Sequence, residues 1–140
     1  MPSSTNKRLV RRHFDELWLK GDLDVADEIY SPDTVGHWND GPDVTGYPAF
    51  ERQEVERSNA AFPDTKVIVE FQVGEGDLVV TRWQFEGTHT GPGYGDPTGR
   101  HVSVTGTHIH RIAGGKIVEI WAHPNNLSFM QQLGMIPADT

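Results

Sequence analysis

The 140-residue chain carries twenty acidic against twelve basic side chains, a net charge of −8 with histidine neutral, and no cysteine. That length suits one domain spanning residues 1–140, and the negative charge repels phosphate, which excludes nucleic acid as an expected partner. Without thiols there are no disulfides, iron–sulfur clusters or thiolate zinc sites; a cytoplasmic setting is expected, with no membrane span and no signal peptide in "MPSSTNKRLVRRHF".

In chain order, residues near 5–20 read as an amphipathic helix whose stripe is Leu9, Val10, His13, Phe14, Leu17 and Trp18. The basic group Lys7, Arg8, Arg11 and Arg12 reads as the solvated face of that helix. Gly21 ends it, and "DLDVADEIY" predicts a second short helix stopped by Pro32. "SPDTVGHWNDGPDVTG" is rich in turn formers, with "VGHW" as its one strand-like stretch. "YPAFERQEVERSNAAF" predicts a third helix, with Pro48 in its first turn and Phe50, Val55 and Phe62 as anchors, ended by Pro63.

The period then changes to two. Val67, Val69, Phe71 and Val73 alternate with Ile68, Glu70 and Gln72, and "DLVVTRWQFEGTH", "HVSVTGTHIHRI" and "KIVEIWAH" predict three more strands. "EGD" (75–77) and "AGG" (113–115) read as hairpin turns, and "TGPGYGDPTGR" (90–100) as a longer rim loop. A last helix is expected from about Asn126 to Leu133, with Gly134 as its stop. Helices followed by a sheet define an α+β domain, in which three N-terminal helices cover a curved antiparallel sheet and enclose a cone-shaped cavity.

Aromatic and histidine side chains concentrate in the segments expected to face that cone: Phe14, Trp18, His37, Trp38, Trp83, Phe85, His108, His110 and Trp121. Apolar walls with a few polar groups suit a flat hydrophobic or aromatic small molecule, although burial as ordinary core is the commoner fate of any one of them. "HIH" (108–110) places two imidazoles on one strand face; a metal needs a third ligand, and only His37 or His123 could offer one, so no metal site is expected. His108 instead suits proton transfer near neutral pH. "GPGYGDPTG" precedes a strand rather than a helix, which argues against a phosphate cradle.

The stretches "RRHFDELWLKGDLDVADEIYSPD", "AAFPD", "EGDLVVTRWQFEGTHTG", "PTGRHVSVTGTHIHRIAGGKIVEIW" and "QQLG" together resemble the SnoaL-like polyketide cyclases of the nuclear-transport-factor-2-like superfamily. The resemblance covers nearly the whole chain. It implies an α+β barrel with an apolar cavity, and ring closure of an aromatic polyketide by intramolecular aldol condensation without metal or organic cofactor. It also implies a histidine on the penultimate strand, here His108, and an acid–base aspartate on the last strand, where this chain has Ala122. A second aspartate that many relatives carry three residues later is Asn125.

Three outcomes follow from that departure. A histidine (His108, His110 or His123) replaces the aspartate; the reaction is a hydroxylation, as in relatives from aromatic polyketide biosynthesis; or the domain binds a ligand without turnover. The preferred reading is a cofactor-independent tailoring enzyme performing proton transfer beside a carbonyl, for ring closure or isomerisation. His108 is its catalytic residue, and His110, Ala122 and Asn125 join the aromatic residues in substrate binding. A homodimer is expected, because Thr105, Thr107 and Ile109 would leave a partly apolar outer sheet face uncovered.

Overall fold

Residues 2–137 are described by a computed structural model, and its first helix changes pitch where it reaches the core. Helix α1 (Pro2–Arg12) runs on into a π-helical segment, His13–Trp18. There the Leu19 N–H donates five residues back to the Phe14 carbonyl, at 3.0 Å. The wider turn brings residues five apart onto one side of the helix, and such segments recur at functional sites. Val10, His13, Phe14 and Leu17 are buried along this face.

Helix α2 (Val25–Ile29) is not stopped by Pro32. The chain passes at Tyr30 directly into strand β1 (Tyr30–Trp38), which contains that proline. β1 lies at the sheet edge, where a residue without N–H is tolerated, and its pairing with β5 skips from Tyr30 to Val35. Turn formers thus gave way to tertiary pairing over a stretch expected to be mostly irregular. Helix α3 (Tyr47–Ala61) starts after Gly46, which adopts the left-handed conformation, and has Pro48 in its first turn.

Strands β2 (Lys66–Glu75), β3 (Leu78–Thr88), β4 (His101–Ala113) and β5 (Lys116–Pro124) form an antiparallel meander. β1 joins its far side parallel to β5, giving the order β1-β5-β4-β3-β2. The α+β cone expected from the sequence is the fold; the sheet itself is mixed and open, and the helices complete the enclosure. Helix α4 (Asn126–Leu133) is the last regular element among the described residues, with the Asn125 Oδ1 accepting the Ser128 N–H at one end and left-handed Gly134 at the other. No helix among the described residues is long and apolar enough to cross a membrane.

A bulge in β2 reassigns half of that strand. Val69 pairs with Trp83 but Phe71 with Arg82, so Glu70 is the extra residue and the facing reverses beyond it. Val67 stays buried, whereas Phe71 and Val73, in phase with it but for the bulge, are each 57% exposed. Gln72 turns inward instead and donates to the Thr81 hydroxyl. Thr105, Thr107 and Ile109 lie on the outer face, opposite buried Val104, Gly106, His108 and His110.

Gly106 is set by packing rather than by backbone angle. The Trp83 indole lies across it, and a Cβ there would fall 2.2 Å from the ring. Gly106→Ala is therefore expected to displace Trp83 and destabilise the fold by roughly 1–3 kcal/mol, the usual cost of overpacking. Urea unfolding with near-ultraviolet circular dichroism of the tryptophans checks this; an unchanged spectrum and midpoint would contradict the packing described.

Candidate functional site

Period-two alternation along β4 turns His108 and His110 to the concave face, and the wide helical turn brings His13 down onto them. The three imidazoles form a buried cluster, with ring centroids 5.3–5.8 Å apart. Above it opens a cavity of about 240 Å³. Its floor is His13 and His108; Phe14, Trp18, Trp38, Trp83 and Phe85 form much of the wall. Tyr94 from the 90–100 loop, Asn125 and Phe129 from the start of α4, and the Glu54–Arg57 pair of α3 complete the rim.

His108 has one nitrogen committed. The Trp83 indole N–H donates to its Nδ1 at 2.7 Å. An indole nitrogen only donates, so Nδ1 must be the acceptor and the ring proton sits on Nε2. Burial pushes the His108 pKa down to about 3, so the ring stays neutral at physiological pH. With Nδ1 accepting from Trp83, the ring proton on Nε2 is directed away from the indole. His110 is fully buried and neither of its nitrogens has a partner, while burial and the neighbouring His108 hold it well below the usual histidine range.

The other expected site residues divide between the two faces of the sheet. Ala122 lies directly opposite His108 in the β4–β5 pair and beside Trp38, on the inner face, but its methyl is fully covered. His37 and Trp121 do not face the cone at all. They stack on the outer face, 5.4 Å apart, because their strands alternate and their in-register neighbours Trp38 and Ala122 take the inner positions. His37 bridges Asp43 and Glu119 at 2.8 and 2.7 Å, and those carboxylates raise its pKa. His123, an alternative replacement for the aspartate, is exposed on that same side.

Sequence reasoning missed Glu51. It sits in α3 between Tyr47 and Val55, all three without exposure. The Trp18 indole N–H donates to its Oε1, and the His13 Nε2 lies 3.9 Å from the same oxygen. Oε2 is buried with no partner. Burial pushes the carboxyl up to about 7, against the pull of Tyr47 and Trp18. The signal was present in the spacing: Tyr47, Glu51, Val55 and Ser58 fall on one helical face, with an acid at its centre.

A family model described as SnoaL-like polyketide cyclase matches residues 8–133. Among solved structures, a candidate SnoaL-like polyketide cyclase from Jannaschia sp. CCS1 is 27% identical over 96% of this chain and 95% of its own, with a TM-score of 0.83. AclR, a candidate hydroxylase from Streptomyces galilaeus, is 29% identical over 99% of this chain and 86% of its own, with a TM-score of 0.85. IdmH, a candidate polyketide cyclase from Streptomyces antibioticus, is 29% identical over 92% and 98%, with a TM-score of 0.77. No curated protein matches the chain by sequence.

The buried carboxyl makes a prediction about stability. Its folded pKa of about 7 exceeds the ordinary 4.5, so the folded state holds the proton more tightly. That contribution is complete below about pH 4.5 and is lost as pH rises through 7. Glu51→Gln removes the titration. Between pH 5 and 8 the stability difference should therefore move in favour of the glutamine variant, by up to roughly 3 kcal/mol. Urea unfolding of both proteins at the two pH values measures it; a constant difference would mean that the carboxyl titrates normally.

Proposed function

Because the chain belongs to the SnoaL-like polyketide cyclase family, we propose that it performs acid–base chemistry on a compact polyketide-like carbonyl compound. The outcome is aldol-type ring closure or isomerisation, with no metal or organic cofactor. The observation that carries this reading is His108, a neutral imidazole whose Nδ1 accepts from Trp83 so that its proton lies on Nε2, on the floor of an aromatic-walled cavity.

A flat ligand lies against Phe14, Trp38 and Phe85 with its carbonyl oxygen toward His108. When the neighbouring carbon loses a proton, negative charge moves onto that oxygen. A donor already in place, inside a site that excludes water, stabilises the charge more than bulk water would. Neutrality matters here, since an imidazolium would have to be created by burying a charge. The cavity is below the usual 300–1,000 Å³ of drug-sized pockets, which favours a substrate of few fused rings.

The test is incubation with bicyclic aromatic β-ketoesters, followed by chromatography for an isomeric, ring-closed product. His108→Phe removes the donor and should cost ~10²–10³-fold in turnover. His108→Gln keeps an N–H and should retain part of the activity. Equal loss in both variants would point to a proton-transfer role for His108. Oxygen incorporation would move the reading to hydroxylation, and tight retention of unchanged ligand to a binding module.

We also propose that the working form is a homodimer, with a second copy covering the outer sheet face, where Ile68, Phe71 and Val73 are exposed. Light scattering across micromolar concentrations should give twice the chain mass; a monomer throughout would refute it.

A further inference from the structure

The carboxylate absent from the last strand has a counterpart on the opposite wall. We propose that His13 is the base of this site and that Glu51 is its counter-ion: His13 Nε2 takes the proton beside the substrate carbonyl, and the Glu51 carboxylate holds the imidazolium formed. The inference deepens the carbonyl chemistry proposed above and rests on it.

Geometry on three elements carries the argument. The π-helical segment sets His13 and Trp18 five residues apart on one side, each with a ring nitrogen within 3.9 Å of Glu51 Oε1. Trp18 donates to that oxygen and orients it, while His13 Nε2 stands 3.9 Å away. The other nitrogen of His13 lies 2.6 Å from the Tyr30 hydroxyl. In the tautomer with Nδ1–H donating to the Tyr30 hydroxyl, Nε2 is the lone-pair acceptor. His13 lines the cavity and its ring is 5.5 Å from that of His108, so acceptor and donor flank one point on the floor. Glu51 is out of a ligand's reach and acts only through His13, as a positioning residue.

The step balances without any co-reactant. The carbon–hydrogen bond breaks, an N–H bond forms at His13 Nε2, and the electron pair moves onto the carbonyl oxygen, where the His108 Nε2–H receives it. In ring closure the resulting carbon nucleophile attacks a second carbonyl of the same molecule. The new alkoxide then takes the proton back from His13, which restores the enzyme.

Ionisation of Glu51 sets the pH dependence. The groups facing it are His13 from the π-helical segment, Tyr30 from β1, and Tyr47 and Glu54 from its own helix. His13 in turn faces His108 and His110 on β4, and burial with those two rings holds it well below the usual range. Below about pH 7 the carboxyl is protonated and offers the imidazolium no counter-charge; above it the base is supported. Proton abstraction should therefore rise with pH through that region.

The experiment follows exchange of the α-protons of 1-tetralone into heavy water by proton NMR between pH 5.5 and 8.5. In parallel, the His13 ring signals are titrated in the ligand-free protein. Wild type should show an acid limb near 7, and the His13 signals should shift through the same step. His13→Gln should lower exchange ~10²–10⁴-fold. Glu51→Gln should lower it less and abolish the limb, and Glu51→Asp should restore part of it. A merely structural Glu51 would leave the limb in place in a folded Gln variant, and that result overturns the proposal. So does wild-type exchange in folded His13→Gln. Absence of exchange in wild type would count against the carbonyl reading for this probe, and the ligand-free titration then decides: His13 signals blind to Glu51 ionisation overturn the pairing, and signals that follow it uphold it.

Discussion

One hydrogen bond organises the concave face, that from the Trp83 indole to His108 Nδ1. It exists because Gly106 leaves a gap in β4 into which the indole can lie, two residues before the histidine and on the same face. The bond fixes a tautomer, and the tautomer fixes which chemistry the ring can perform. Burial does the rest: an imidazole held neutral offers direction without charge, and a large aromatic side chain becomes both wall and orienter of the site.

The helical layer works against its own regularity in the service of the same site. A continuous α-helix over the first eighteen residues would satisfy each backbone group with fewer distortions. Widening at His13–Trp18 instead assembles a polar cluster inside an otherwise apolar core, where Tyr30, His13, Trp18, Glu51, Tyr47 and Trp38 connect side chain to side chain. Such clusters cost folding energy wherever an atom lacks a partner, as Glu51 Oε2 and both His110 nitrogens do. Three of the five buried side-chain atoms without a partner among the described residues belong to Glu51 and His110, both beside His13.

Much of this was legible from residue spacing. Alternation in "HVSVTGTHIHRI" fixed which residues of β4 face inward, and the glycines of "AGG" marked its hairpin. Three things escaped for physical reasons. Facing depends on register, so Phe71 and Val73 were lost to a one-residue bulge that no local pattern announces. Aromatic character says nothing about which face a strand residue takes, and His37 and Trp121 found each other outside instead. Glu51 was overlooked because an acid in a helix is ordinarily solvated; its place on the face of Tyr47, Val55 and Ser58 gains its meaning from the packing of that face against Trp18 and His13.

The π-helical segment also places the site one residue away from a different protein. Removing a single residue between His13 and Trp18 would let the helix return to the ordinary α pitch and regain regular hydrogen bonding. It would also rotate everything on the amino-terminal side by about 100°. Trp18 could stay on Glu51 while His13 swung out of the cavity and toward the surface. Such a deletion would leave the sheet and His108 as they are, but it would turn Val10 out of the core and Phe14 out of the cavity wall together with the imidazole. The pitch of one short helical segment thus ties the cavity floor, part of its wall and the adjoining core to a single chain length.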